Sequence, residues 1–256
     1  GSTPVVPPGI KIDDEKVVTY HKAILQEKLP KSVVIIGAGA IGLEFATVWS
    51  SYGSEVTIVE MLPRIAPLED EEVSKELNRA FNKRGIKTLT GNRVQSIEAT
   101  KDGVKVLVSG ADGEQTLNAE QALVAVGFRP NSADLGLDKV GVKLSERGHI
   151  LVDEHMATNV PGIYAIGDVT GKLLLAHVAS AMGIAAAEKI AGKETRPINY
   201  TMVPRATYSQ PQVASFGYTE AQLKEKNINY KVGRFSFIAN GKALGLADYD
   251  GFAKVL

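Results

Sequence analysis

Residues 32–36 are a β-branched run, SVVII, and it stops on Gly37-Ala38-Gly39-Ala40-Ile41-Gly42, where a helical pattern begins. Three glycines at that spacing suit the pyrophosphate of a dinucleotide. The first lets the chain turn tightly, the second lets the backbone approach the ligand, and the third lets helix and strand pack closely. The start of the helix then offers unpaired N–H groups to the anion. A second strand, 55–59, ends on Glu60, 18 residues past Gly42. A carboxylate there accepts hydrogen bonds from both ribose hydroxyls and repels a 2′-phosphate, which favours NAD over NADP. The bland alternative is a glycine turn with an incidental acidic strand end.

Other candidates are weaker taken singly. Ala125, Val126, Gly127 and Phe128 close a further apolar strand, 122–126, on the edge where α/β sheets hold ligands. Gly127 there suits either close passage of a nicotinamide or a plain strand end. Glu44 falls in the first helical turn after the glycines, as a dipole-compensating residue or a nicotinamide contact. Asp168 follows Tyr164-Ala165-Ile166-Gly167 and reads as the end of another strand. Its carboxylate suits a polyol hydroxyl such as a ribityl chain, or an ordinary cap. A helix of small residues begins near Ala176, and its positive end would stabilise negative charge on a reduced flavin ring.

The elements that must position these groups follow from periodicity. The strand, the helix from 41 to about 52 and the strand at 55–59 make a βαβ unit. An acidic start at Leu68 to Glu72 opens a second helix whose apolar stripe is Val73, Leu77, Ala80 and Phe81. Strand-like stretches occupy 86–90, 94–98 and 104–108, with a hairpin turn at Asp112-Gly113. Residues 139–153 read as irregular with short strands. The small-residue helix runs from about 176 to 191 and stops at Gly192. Residues 202–256 read as short strands and one helix with a capping box at Thr219 to Gln222. The chain then closes on 252–256, which reads as the middle of a strand.

Composition narrows the class. The 256 residues carry 29 basic and 29 acidic side chains, and zero net charge argues against nucleic acid and acidic membranes. No apolar run approaches the length of a membrane span. There is no cysteine, so disulfides, thiolate metal sites and cysteine nucleophiles are excluded within the chain. Four histidines, at 21, 149, 155 and 177, show no metal-ligand spacing.

The stretches VVIIGAGAIGLEFA, EVTIVE, ALVAVGFRPN and TNVPGIYAIGDVTGKLLLAHVASAMG occur in the order found in the flavoprotein disulfide reductases (pyridine nucleotide-disulfide oxidoreductases), which the chain resembles. GLEFA, AVGFRPN, LLAHVA and Glu60 lean toward the dihydrolipoyl dehydrogenase branch, and TYSQPQVASFGYTEAQL resembles the start of the dimerisation domain. The resemblance implies an α/β fold with a Rossmann-like NAD domain at 28–148. Residues 1–27 would connect from an FAD half-domain outside the chain, 149–196 would return to the FAD domain, and 197–256 would begin an α+β dimerisation domain. It implies that Gly37 to Gly42 bind the NAD pyrophosphate, Glu60 the adenosine ribose, and Val94 the adenine side. Ala125 to Phe128 would lie along the nicotinamide half with Glu44 near its amide. Asp168 would hold the ribityl or phosphate region of FAD, and Ala176 would offer its backbone to the flavin.

The implied activity is oxidation of dihydrolipoyl groups, with electrons passing through FAD to NAD. The implied partners are a dihydrolipoyl-bearing substrate or carrier protein and a second copy in a homodimer. The family's own FAD glycine turn, its redox-active cysteine pair and its C-terminal His-Glu pair are not in this sequence. Met182 stands where many relatives carry an acidic residue, and Phe128 where many carry Arg. The chain therefore reads as a central fragment, inactive by itself, whose small-residue helix and segment 163–166 bury against a missing half-domain. The alternatives are a related NADH-dependent oxidase or peroxidase, a transhydrogenase, or a non-catalytic NAD-binding module. The expected location is the cytoplasm, with an organelle matrix as the alternative.

Overall fold

A computed structural model describes residues 1–256. In chain order the strands are β1 (Ser2–Pro4), β2 (Val17–Val18), β3 (Ser32–Ile36), β4 (Glu55–Glu60), β5 (Lys87–Thr90), β6 (Arg93–Ala99) and β7 (Val104–Gly110). They continue with β8 (Gly113–Ala119), β9 (Gln121–Val124), β10 (Phe128–Pro130), β11 (Arg205–Thr207), β12 (Val213–Ser215), β13 (Gly233–Ser236) and β14 (Phe252–Val255). The α-helices are α1 (Tyr20–Ala23), α2 (Ala40–Ser51), α3 (Glu71–Lys83), α4 (Ala176–Ile190), α5 (Glu220–Glu225) and α6 (Gly241–Gly245). None is long and apolar enough to cross a membrane.

Two compact units form: one from residues 6–127 and 206–256, the other from 1–5 and 128–205. The four segments read from sequence cut the chain differently. Residues 6–27 belong with the first unit because β2 extends its sheet. Residues 128–148 belong with the second because β10 pairs antiparallel with β1.

The first unit is built on a parallel sheet in the order β2-β9-β3-β4-β5. Burial on both faces requires strands that are apolar at every position, and β3 is so from Val33 to Ile36. Val33 and Ile35 enter the core cluster that holds Leu43, Trp49, Leu77 and Phe81 of α2 and α3. Val34 and Ile36 enter the opposite cluster, which Val104, Val106 and Val108 of the antiparallel sheet β6-β7-β8 cover. The order reverses at β3: β4 and β5 lie to one side, β9 and β2 to the other. That reversal opens a crevice beyond the C-terminal ends of β3 and β9.

Residues 206–256 are fastened to α3 of the same unit mainly through charge. Asp70 caps α3, accepting from the Glu72 N–H at 3.1 Å, and also accepts from the Glu220 N–H at 3.0 Å. The Lys254 side chain is only 5% exposed and its Nζ reaches Asp70 (2.9 Å), Glu72 (2.7 Å) and Glu220 (2.7 Å). Ser215 Oγ donates to Glu69 at 2.5 Å. At the far end of α3, Arg79 and Lys83 pair with Asp250 at 2.9 and 3.1 Å. Burial by itself would push the Lys254 ammonium down, but hydrogen bonds to Glu220, Glu72 and Asp70 outweigh it and hold it above its usual range. Hydrogen bonds from Lys254, then Tyr230 and Lys224, lower Glu220 to about 2.

This segment holds two helices where the sequence indicates one. The capping box of α5 is as expected, with Thr219 accepting from the Gln222 N–H. The five-residue α6 carries glycine at both ends, which hides it from propensity; the Asn240 side chain starts it by accepting from the N–H groups of Lys242 and Ala243.

In the second unit α4 buries Val178, Met182, Ala185 and Ala186. The strand expected to end on Asp168 is absent. Tyr164 makes only an isolated bridge to Ala157, and Gly167–Thr170 is a single 3₁₀ turn. Gly167 at φ +74° and a hydrogen bond from Thr170 Oγ1 to its carbonyl oxygen (2.7 Å) wind the chain up before a ladder can form.

Two measurements test this packing. A Cβ on Gly42 would collide with the Gly37 carbonyl oxygen. Gly42→Ala is expected to cost about 1–3 kcal/mol, and an unchanged thermal midpoint would refute that close approach. Lys254→Met leaves three carboxylates facing each other and is expected to cost about 2 kcal/mol at pH 7. A depressed carboxylate stabilises the fold above its unfolded pKa, and that contribution fades as pH falls through the folded one. For Glu220 the window runs from 4.5 down to about 2. The gap between wild type and Lys254→Met in urea unfolding should therefore shrink from pH 7 to pH 3, and a constant gap would show that Glu220 is not held this way.

Candidate functional site

The crevice between β3 and β9 is lined by the glycine turn. Gly37 has φ +104°, and a Cβ there would strike the Ala125 carbonyl oxygen just past β9. The end of β3 is tied to β4 through Gly37 N–H to Val59 O (2.9 Å) and to the end of β9 through Ala125 N–H to Ile36 O (2.8 Å). Gly39 is the N-cap of α2 and supplies no side chain to the orphan N–H groups of the first turn. A Cβ on Gly39 would meet nothing within 4 Å. The turn therefore offers open space in front of uncapped backbone donors, which fits an approaching phosphate oxygen. The three glycines do different work, as their spacing suggests: Gly37 turns against Ala125, Gly39 faces open space, and Gly42 packs on Gly37.

Glu60, the last residue of β4, is 8% exposed. Its Oε2 accepts from the Ala38 N–H at 2.7 Å and its Oε1 from the Leu62 N–H at 2.8 Å. A carboxylate has about four acceptor sites, so two remain for hydroxyl donors such as a ribose diol. The carboxylate sits beside the glycine turn, where a phosphate carried on a diol bound to those acceptor sites would be repelled.

Gly127 has φ +120°, and a Cβ there would likewise meet nothing within 4 Å. Ala125 and Val126 lie beyond the end of β9 and line the same rim. Phe128 begins β10 in the other unit. Val94, on β6, is half-buried and packs against the cluster of Ile36 and Val59. The β5–β6 turn that precedes it is pinned to the rim by Asn92 N–H to Glu60 O (3.0 Å) and Gly91 N–H to Leu62 O (2.9 Å).

Glu44 is the fifth residue of α2, not in its first turn, because the helix begins at Ala40. Dipole compensation falls off beyond the first turn, so that reading loses its basis. Instead Glu44 Oε1 accepts from the Tyr208 N–H at 2.8 Å. Sequence reasoning gave no sign of this partner, since the two lie 164 residues apart.

In the second unit Asp168 stands on the 3₁₀ turn, and its Oδ2 accepts from Ser2 Oγ at 2.6 Å. The Gly167 N–H donates to the Met182 thioether sulfur at 3.2 Å. Ala176 opens α4 behind Leu175, whose side chain makes no cap. The helix start thus presents donors without a side-chain cap.

Comparison with known proteins agrees with this fold. A model of the pyridine nucleotide-disulphide oxidoreductase family matches residues 1–183, and a model of that family's dimerisation domain matches residues 203–256. The dihydrolipoyl dehydrogenase of Corynebacterium glutamicum is 52% identical over 247 residues, covering 94% of this chain and 53% of the relative. That of Mycobacterium tuberculosis is 50% identical over 257 residues, covering 100% and 55%. Among solved structures, LpdA from Mycobacterium tuberculosis superposes with a TM-score of 0.91 at 30% identity, over 99% of this chain and 55% of its own. The HOCl-induced flavoprotein disulfide reductase RclA from Escherichia coli gives 0.89 at 27% identity, over 99% and 58%. The chain spans about half the length of the curated relatives it matches. It belongs to the pyridine nucleotide-disulphide oxidoreductase family.

Proposed function

We propose that this chain is the NAD-binding and part of the FAD-binding portion of a flavoprotein that oxidises dihydrolipoyl groups to the disulfide, with NAD as the final acceptor. The observation that carries the reading is the buried Glu60 carboxylate, held by the Ala38 and Leu62 N–H groups against an open glycine turn. The identity of 50–52% to dihydrolipoyl dehydrogenases supports the choice of reaction. FAD, when bound, supplies the two-electron relay between a dithiol and the nicotinamide.

The protein's own residues do the rest. The backbone of Gly37 to Gly42 holds a pyrophosphate, Glu60 accepts from the adenosine ribose, and Val94 borders the adenine side. Ala125 to Phe128 let the nicotinamide half pass close to the backbone, with Glu44 near its amide. Asp168 accepts from the ribityl region of FAD, for which the Ser2 hydroxyl at 2.6 Å serves as a model donor. Ala176 presents the start of α4 to the flavin. In this assignment residues 28–148 are the NAD domain, its last stretch 128–148 packing with the second unit, 149–196 belong with FAD, and 197–256 begin the contact between two copies of the enzyme. A dihydrolipoyl group on a carrier protein is the substrate. The sequence contains no cysteine, so the dithiol exchange belongs to residues outside this chain. Two cysteines four residues apart in the upstream coding sequence would support the lipoyl reading, and a lone cysteine would favour an oxidase or peroxidase.

Calorimetric titration tests the coenzyme site. NADH is expected to bind about tenfold or more tightly than NADPH, a difference of about 1.4 kcal/mol or more, because Glu60 repels a 2′-phosphate. Glu60→Arg should remove that preference, mainly by weakening NADH. Equal affinities in the wild type would remove the argument from Glu60.

A further inference from the structure

The helix that opens on the glycine turn is also the surface on which segment 207–211 rests. Three side chains of α2, one turn apart, meet that segment or its anchor. Glu44 Oε1 accepts from the Tyr208 N–H at 2.8 Å, and Thr47 Oγ1 accepts from the Gln210 N–H at 3.3 Å. The guanidinium of Arg84, just past α3, spans the remainder: Nη1 donates to the Gln210 carbonyl at 2.8 Å and Nη2 to Ser51 Oγ at 2.9 Å. Tyr208 itself is exposed, so its backbone, not its ring, makes the attachment.

We propose that segment 207–211 is a positioning element for the coenzyme's nicotinamide end, acting through Glu44. The proposal rests on the coenzyme reading given above. Glu44 is half-buried, and a glutamate has three rotatable side-chain bonds. Committing Oε1 to Tyr208 N–H removes most of that freedom before a ligand arrives and leaves Oε2 to accept from a carboxamide N–H. Fixing a polar group in its bound geometry lowers the entropy lost on binding. Arg84 and Thr47 touch only the segment's backbone and helix α2, so their part is to keep the Tyr208 amide in place. The adenosine half of the ligand lies with Glu60, which this network does not contact. The arrangement therefore predicts an effect confined to the nicotinamide half.

The test compares NAD with ADP-ribose, which lacks the nicotinamide, by calorimetry on the 256-residue chain. Arg84→Met should raise the NAD dissociation constant about threefold to tenfold and leave that of ADP-ribose unchanged within about twofold. Arg84→Lys, which retains a donor for the Gln210 carbonyl, should recover part of the loss. In a Glu44→Ala background Arg84→Met should add nothing further, since residues acting through one group are non-additive. If Arg84→Met does not fold, Thr47→Val asks the same question by removing the acceptor beneath the Gln210 N–H, together with the Thr47 Oγ1 donor to the Leu43 carbonyl within α2. Equal weakening of both ligands, no change in either, or full additivity with Glu44→Ala would each overturn the proposal. A wild-type chain that fails to bind ADP-ribose would sink the coenzyme reading first, and this inference with it.

Discussion

One buried carboxylate organises the first unit. Glu60 ends a strand that pairs only with β3 and β5, yet its two oxygens take the N–H groups of Ala38 and Leu62. The Ala38 contact ties the glycine turn to the neighbouring strand. The Leu62 contact folds the chain back as it leaves β4. An ionised acceptor makes such bonds stronger than neutral ones, and a nearly buried carboxylate without them would be costly. The turn and the acid are thus mutually required. An exchange at position 60 therefore changes the shape of the turn along with its charge.

The same economy of contacts recurs at α3. Its first turn is acidic, as favoured beside the positive end of a helix, and Asp70 caps it. The lone pairs left over are taken by residues 206–256 through Glu220 N–H and Lys254. A helix start that needed negative charge for its own stability thereby became the anchor for a distant segment. Opposite charges from Arg79 and Lys83 fasten the other end to Asp250. These outer pairs are half-exposed and weaken with salt; the cluster around Lys254, whose own side chain is buried and holds three carboxylates, is the firmer attachment.

What could be read from the sequence was what is encoded within a few dozen residues. The β3-turn-α2-β4 unit, the Asp112-Gly113 hairpin and the Thr219 capping box each carry their signals locally, and each is present. Glu60 could be assigned to the rim because a βαβ unit fixes the distance between its strand ends. The failures share the opposite property. The Tyr208 partner of Glu44 is invisible to local reasoning because it lies 164 residues along the chain, and helical spacing by itself offers only a dipole role or a nicotinamide contact. Asp168 was put on a strand because Tyr164-Ala165-Ile166 is apolar, yet a strand needs a neighbour, and the backbone there finds only one bridge. Helix α6 was missed because its glycines oppose the cap that forms it. The Lys254 cluster left no trace, since its three acids come from two separate helix starts.

The two ligand edges differ in how much of their support this chain contains. The glycine turn rests on a sheet covered on both faces, so every group it needs is held by residues of the first unit. The Asp168 turn rests on α4, whose apolar side chains extend beyond the one face it buries. Ile184 and Ile190 remain 62% and 64% exposed while Val178 and Met182 are enclosed. The Met182 thioether, a weak acceptor, is what receives the Gly167 N–H. The turn that presents Asp168 is therefore held by softer contacts than the one that presents Glu60. Local stability follows buried contacts and hydrogen bonding. The coenzyme edge is accordingly the better formed of the two in this chain, and the Asp168 edge is the one whose geometry a ligand or covering segment would sharpen.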